Sequence, residues 1–139
     1  MGTHGAAPAV YPDLKYDPAK SFAPIGMAAG TPILVVAKKS FPAKDFKEFV
    51  AYVKANSEKL NEAHAGVGSV SFTTCALFNS LVGAKPTRVV YRGTGPALND
   101  LVSGQVDYMV TSSAKARTAP SRVAWSSRGT SGGAVTRSA

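Results

Sequence analysis

LNEAHAGVGSVSFTTCALFNSLVGAKPTRVVYRGTGPALNDLVSGQVDYMV, residues 60–110, alternates short apolar runs with longer helical stretches, and that alternation decides the fold. A short strand is expected around Leu60 to Ala65, followed by the glycine turn AGVGSVS. The run from about Ser69 to Val82 reads as a helix with Gly83 as its C-cap. TRVVY, Thr87 to Tyr91, is a second strand of this stretch, RGTGP is a tight turn, and PALNDLVSG is a short helix closed by Gly104. QVDYMV, Gln105 to Val110, reads as a further strand. Strands alternating with helices imply α/β layering, a mainly parallel sheet and right-handed crossovers.

Upstream, TPILVVA (Thr31 to Ala37) is β-branched and continuous, as a strand covered on both faces would be. In PAKDFKEFVAYVKANSEKL, Phe46, Phe49, Val50 and Val53 recur at i, i+3, i+4 and i+7, the stripe of an amphipathic helix. Pro42 suits its first turn, Asp45 and Glu48 lie near its positive end, and Lys54 and Lys59 near its negative end. Residues 1–29 are rich in Gly, Ala and Pro and suggest no element except a short strand near Ile25 to Ala28. Two sheet faces must be covered by only two or three helices, which implies that part of the domain is missing.

The net charge of +8 divides unevenly. Residues 1–110 hold 11 Lys/Arg and all 8 Asp/Glu, a balance of +3, whereas 111–139 hold 5 Lys/Arg and no acid. That last stretch is mostly Ser, Thr, Ala, Gly and Arg with one aromatic, Trp125, and is expected to be a disordered, low-complexity basic tail. A small basic nucleic-acid-binding protein is the alternative function, and it rests on this charge alone. Lys38, Lys39, Lys44, Lys47 and Lys54 read as a solvated face, without the interleaved aromatics that stack on bases.

Few other chemistries are open. The longest apolar run, Ile33 to Ala37, is far short of the roughly 20 residues that span a bilayer. The start shows no basic n-region or apolar h-region, so the chain as written would stay cytoplasmic. One cysteine, Cys75, excludes an internal disulfide and a Cys-based zinc site and reads as a buried core residue. GVGSVS lacks the third spaced Gly of a dinucleotide fingerprint, the G-x-S-x-G spacing of a nucleophile elbow and a phosphate-loop lysine. His4 and His64 have no cluster of carboxylates beside them, and Asp100 and Asp107 read as surface and strand-edge residues. No catalytic set, metal site or cofactor is expected.

What remains is a pair of turns of one design. Ala65-Gly66-Val67-Gly68-Ser69 and Arg92-Gly93-Thr94-Gly95-Pro96 each place glycines and a hydroxyl between a strand and a helix start. Free N–H groups at a helix N-terminus attract anions, and the carboxyl edge of a parallel sheet is where ligands bind. A carboxylate suits such turns, although the glycines alone could serve tight strand-to-helix connections.

Three stretches carry a family resemblance. YPDLKYDPAKSFAPIGMAAGTPILVVA resembles "LY-x-x-L-x-YDP-x-x-DF-x-PIG" followed by a strand in the Bug/TctC solute-binding proteins. FPAKDFKEFVAYVKAN followed by NEAHAGVGSVS resembles their "PAK…AY-x-KANPGKLN…AG-x-GS" region, and YRGTGPALNDLVSGQVDYM their "Y-K/R-G-x-x-PA-x-x-DL-x-x-G-x-VD-x-M" signature. The resemblance implies a partial lobe of a two-lobed periplasmic flytrap that delivers small organic carboxylates to the membrane components of a tripartite tricarboxylate transporter, with no specific nucleic acid as partner. It divides the chain into a remnant of lobe one and crossover (1–29), an incomplete lobe-two core (30–110) and the tail (111–139), a fragment not expected to function alone. Carried over by motif, the ligand-binding residues would be Thr3, His4 and Gly5 from the first lobe, and Ala65, Gly66, Gly68, Ser69, Ser71, Gly93, Thr94, Pro96 and Ala97 from the second. Phe72 departs from the His common at that family position. If Ala119-Pro120-Ser121-Arg122 is encoded GCA-CCA-TCA-AGG, a shifted frame reads Thr-Ile-Lys, as the family often has near this point, and the tail would be a frameshift product.

Overall fold

A computed structural model describes residues 2–5, 7–26, 30, 32–112, 124–126 and 135–136. Two single-turn helices, α1 (Gly2–Gly5) and α2 (Ala7–Val10), precede β1 (Ile33–Ala37), α3 (Phe46–Asn56), β2 (Asn61–His64), α4 (Val70–Val82), β3 (Thr87–Val90), α5 (Thr94–Ser103) and β4 (Tyr108–Ser112). Two short strands, β5 (Ala124–Ser126) and β6 (Val135–Thr136), follow. The sheet order is β3-β2-β4-β1-β5-β6.

The α/β lobe expected from the sequence is present, with corrections in detail. The sheet is mixed: β2 runs parallel to both β3 and β4, but β1 pairs antiparallel with β4, Val35 opposite Val110 and Ala37 opposite Tyr108. Strand–helix alternation implies direction only along the chain, and β1 and β4 are far apart in sequence, so their relative direction was not encoded in that pattern. The last strand of the body starts later and ends later than its apolar run suggested, because Gln105 to Asp107 form the turn out of α5. Thr111 and Ser112 therefore belong to the body. Of the tail expected to lack structure, residues 124–126 and 135–136 are described, with β5 beside β1 and β6 beside β5. The rest of the tail, with Ala119 to Arg122, lies outside the described residues. At the other end, α1 and α2 appear where no element was expected, Ile25 is fully exposed and in no strand, and Met27 and Ala28 lie outside the described residues.

Helix α3 begins at Phe46, not at Pro42. The Asp45 carboxylate accepts from the Glu48 N–H at 2.7 Å, and Glu48 reaches back to accept from the Lys44 N–H at 2.7 Å, a capping exchange that leaves Pro42 outside the helix. Phe49 and Val53 are fully buried, Val50 is half-buried and Phe46 sits at the rim, with Lys47 and Lys54 in solvent. Helix α4 starts and stops as its sequence implies, between the Ser69 cap and Gly83 in the left-handed conformation at φ 72°.

Two cores result. Val35, Ala37, Tyr108 and Val110 of the sheet meet Phe49 and Val53 of α3 and Cys75 of α4 on one face. Val36, Ala63 and Met109 meet Ala97, Leu98 and Leu101 of α5 on the other. Period-two alternation in β1 feeds both layers, as a strand covered on both faces must. At the end of the sheet where β2 and β4 begin, Asp107 ties three elements. Its Oδ2 accepts from the Asn61 N–H at 2.7 Å, its Oδ1 meets Lys38 Nζ at 2.6 Å, and its own N–H donates to the Asn61 carbonyl.

Candidate functional site

The opposite end of the sheet is built differently. β2 and β3 are parallel neighbours, so the turns that follow them emerge side by side at one edge. The Tyr91 N–H donates to the His64 carbonyl at 2.9 Å, continuing the ladder to the mouth of both turns. Gly66, at φ 114°, faces the second turn, where a Cβ would be 3.6 Å from the Tyr91 carbonyl oxygen. Gly68, at φ 78°, would bring a Cβ to 3.5 Å from the Tyr11 ring. The positive φ calls for glycine at both positions, while the space itself would admit a Cβ at ordinary contact distance.

Within the first turn the hydroxyls are already engaged. Ser69 Oγ donates to the Gly66 carbonyl at 2.6 Å and accepts from the Phe72 N–H at 3.1 Å. That uses its only proton, so Ser71 Oγ is the donor in the 2.9 Å contact between the two hydroxyls, and it accepts in turn from the Ala65 N–H at 2.9 Å. Neither hydroxyl proton is free for a ligand. Among the described residues, no acceptor takes the N–H groups of Val67, Gly68, Val70 or Ser71. The donors that this turn can offer an anion are therefore backbone N–H groups, two of them in the first turn of the 13-residue α4.

The second turn is held by a clasp. Tyr91 leaves β3 and its hydroxyl donates to Asp100 Oδ2 of α5 at 2.7 Å, so the two ends of YRGTGPALND are joined across the helix start. Burial, and then the Asp100 carboxylate, push the Tyr91 phenol up to about 12. Gly93 caps α5 at φ 128°, without a side-chain bond. The Ala97 side chain is in the α5 core and Thr94 is buried, whereas Gly95 and Pro96 face solvent.

Of the residues singled out by sequence, the fold brings Ala65, Gly66, Gly68, Ser69 and Ser71 together with Gly93, Thr94, Pro96 and Ala97 at one edge. Thr3, His4 and Gly5 lie in α1, which touches α4, and the His4 ring packs against Tyr16 and Phe22 at 6.3 and 5.1 Å. Three neighbours escaped the sequence reading. Tyr11 covers Gly68, with its hydroxyl 3.5 Å from the Val67 carbonyl. Asp100 supports the second turn instead of lying free on a helix surface. His64 is buried, and its Nδ1 accepts from the Gly66 N–H at 3.3 Å. Only the i, i+2 spacing of His64 and Gly66 hinted at that bond. Among the described residues no group of His, Cys, Asp and Glu could hold a metal ion, and no helix is long and apolar enough to cross a membrane.

The fold thus presents paired glycine turns, with helix N-termini beneath them, on adjacent parallel strands of an α/β lobe. The sequence profile described as Tripartite tricarboxylate transporter family receptor (TctC) matches residues 1–130, and the chain belongs to that family. It is 37% identical over 99 residues to a protein from the TAR-I ttuE-ttuC' intergenic region of Agrobacterium vitis, covering 71% of this chain and 29% of that one. MatC from Rhodopseudomonas palustris, solved with bound malate, is 50% identical with a TM-score of 0.73, covering 83% of this chain and 39% of MatC. The periplasmic binding protein BugD is 35% identical with a TM-score of 0.72, covering 80% of this chain and 37% of BugD. The chain thus spans well under half the length of these relatives.

Proposed function

We propose that this chain is the part of a periplasmic solute-binding protein that grips a carboxylate of a small organic acid for delivery to the membrane components of a tripartite transporter. The observation that carries the reading is the pair of glycine turns after β2 and β3 at one edge, the first of which keeps unpaired backbone N–H groups while its Ser69 and Ser71 hydroxyls are spent on the turn itself. In this reading residues 1–29 belong to a first lobe and its crossover, 30–110 to the second lobe, and Thr3 to Gly5 join the site through α1. The ligand-bound relative MatC supports a dicarboxylate of malate's size as the guest.

The test is a titration of the purified chain with malate, adipate and other C3–C6 mono- and dicarboxylates, using the uncharged diamides as controls. Affinity in the millimolar range is expected, because the turns are open to water and each hydrogen bond to the anion competes with solvent. Amide shifts confined to residues 65–71 and 92–97, absent with the diamides, are the expected signature. Shifts spread over the Lys-rich face of α3 instead, or equal binding of the diamides, would defeat the reading.

A further inference from the structure

We infer that His64 is a positioning residue of the carboxylate turn: its neutral imidazole, by accepting the Gly66 N–H, sets the conformation that aims the backbone donors of α4 at a ligand. This rests on the reading of residues 65–71 as an anion site. For Nδ1 to accept, the ring must be uncharged and carry its proton on Nε2. Gly66 is the pivot of the turn, joining two peptide planes that are held from different sides. Its N–H goes to His64 at 3.3 Å, and its carbonyl accepts both the Ser69 hydroxyl at 2.6 Å and the Ser69 N–H at 3.2 Å. Ser69 in turn caps α4. The two planes are coupled through the Gly66 dihedrals, so releasing its N–H frees rotation about the Gly66 Cα that would disturb the helix start, and glycine at φ 114° has the freedom to rotate.

The ring is fixed for this task. It is buried and lies edge-on to Phe72 of α4, with ring centroids 5.0 Å apart. The charged groups near it are Glu62, two residues back on β2, and Arg88 on β3, whose guanidinium lies over the Phe72 ring at 5.8 Å. From α4 comes Phe72, and Glu62 itself accepts from the Tyr108 hydroxyl of β4. Burial lowers the proton affinity of His64 below its usual value, Arg88 adds to this and Glu62 opposes it. The Gly66 donor on Nδ1 also stabilises only the neutral ring.

Protonation would set an Nδ1–H against the Gly66 N–H and break the contact. It would also bring a positive charge toward an anion site, and that effect has the opposite sign, so the pH profile separates the two. The experiment follows malate binding and the Gly66 and Val67 amide resonances from about pH 7.5 to about pH 5, in the full chain and in the variants His64→Asn and His64→Leu. Asn can place Oδ1 where Nδ1 stands and does not titrate. The expected result is a malate affinity that weakens roughly tenfold on acidification as the Gly66 resonance follows the imidazole. His64→Asn should keep the neutral-pH affinity and lose the pH dependence, and His64→Leu should bind poorly at every pH. Affinity that rises as pH falls, a Gly66 resonance indifferent to the imidazole, or a folded His64→Leu chain that binds like the parent would overturn the inference. A Gly66 resonance that tracks His64 while malate shifts no amide of either turn would support the hold on the turn and sink the carboxylate reading alone.

Discussion

Glu62 is fully buried among the strands, a position that costs several kcal/mol unless the charge is compensated. Its compensation comes from three elements. Asn79 of α4 donates to Oε2 at 2.6 Å, the Tyr108 hydroxyl of β4 donates to the same oxygen at 3.0 Å, and Arg88 Nε of β3 is 3.8 Å from Oε1. Arg88 is half-exposed, so water screens its share and the two short hydrogen bonds dominate. Burial first, and then the Glu62 charge, push the Tyr108 phenol far up, so it stays a donor at any pH the fold survives. Replacing Tyr108 by Phe keeps the ring against Phe49 and removes only the hydroxyl. The expected loss is about 1.5–3 kcal/mol, read from urea unfolding, and a loss near zero would show that Asn79 alone suffices. His64 makes a second prediction with a definite sign. Because its folded-state proton affinity is lowered, the unfolded chain binds the proton more readily below the usual value of 6.5. Stability therefore falls as pH drops through and below that value, and the fall should be smaller in His64→Asn. Equal slopes for the two chains would contradict the assignment. Neither residue advertised this in the sequence, because a strand pattern shows which side chains alternate and not which of them meet across three elements.

The elements themselves were far more legible, for reasons that differ from one to the next. Helix α4 was bounded by a serine that could cap it and a glycine free to adopt the left-handed conformation, and both do so. Helix α3 was recognisable from its stripe, yet its start was misplaced. Proline tolerates a first turn, but the Asp45–Glu48 exchange is the stronger signal and lies three residues later. Residues 105–107 read as strand because Val106 is apolar and buried, although its burial comes from packing on the α5 face. Single-turn helices such as α1 and α2 leave almost no periodicity to detect. The stripe on α3 supports a quantitative expectation. Phe49 is wholly enclosed, with Phe41 at 5.1 Å, Tyr108 at 5.2 Å and Phe78 at 5.9 Å between ring centroids. Phe49→Ala should cost about 3–5 kcal/mol, since rings held from three sides collapse poorly into the gap. Phe46→Ala, at the rim, should cost much less, and equal losses at the two positions would overturn the helix register.

At the scale of the molecule, the two ends of the sheet are bonded differently. The Asp107 end is saturated with short bonds among β1, β2 and β4, while the turn end keeps backbone donors unspent. That division is why the glycine turns were found from sequence and their partners were not: glycine spacing marks a turn, but the clasp from Tyr91 to Asp100 and the cover from Tyr11 need the fold to bring them in. The outer surface carries a further consequence. On α4, Val70, Leu77 and Leu81 form one stripe at helical spacing and are 39%, 60% and 79% exposed, and on the edge strand β3 Val90 is 60% exposed. An exposed apolar stripe and an open sheet edge are each the kind of surface that soluble chains cover. Burying it between copies would remove apolar area from water at about 25 cal/mol per Å², and the unpaired edge of β3 would add backbone hydrogen bonds. The purified chain should therefore associate reversibly as its concentration rises, which sedimentation velocity would register as a growing sedimentation coefficient. Leu77→Glu together with Leu81→Lys should suppress this while leaving the far-UV circular dichroism unchanged, because neither side chain contributes to the two cores. A double variant that still associates like the parent would move the contact elsewhere, and a parent that stays monomeric at high concentration would show that the stripe is tolerated in water.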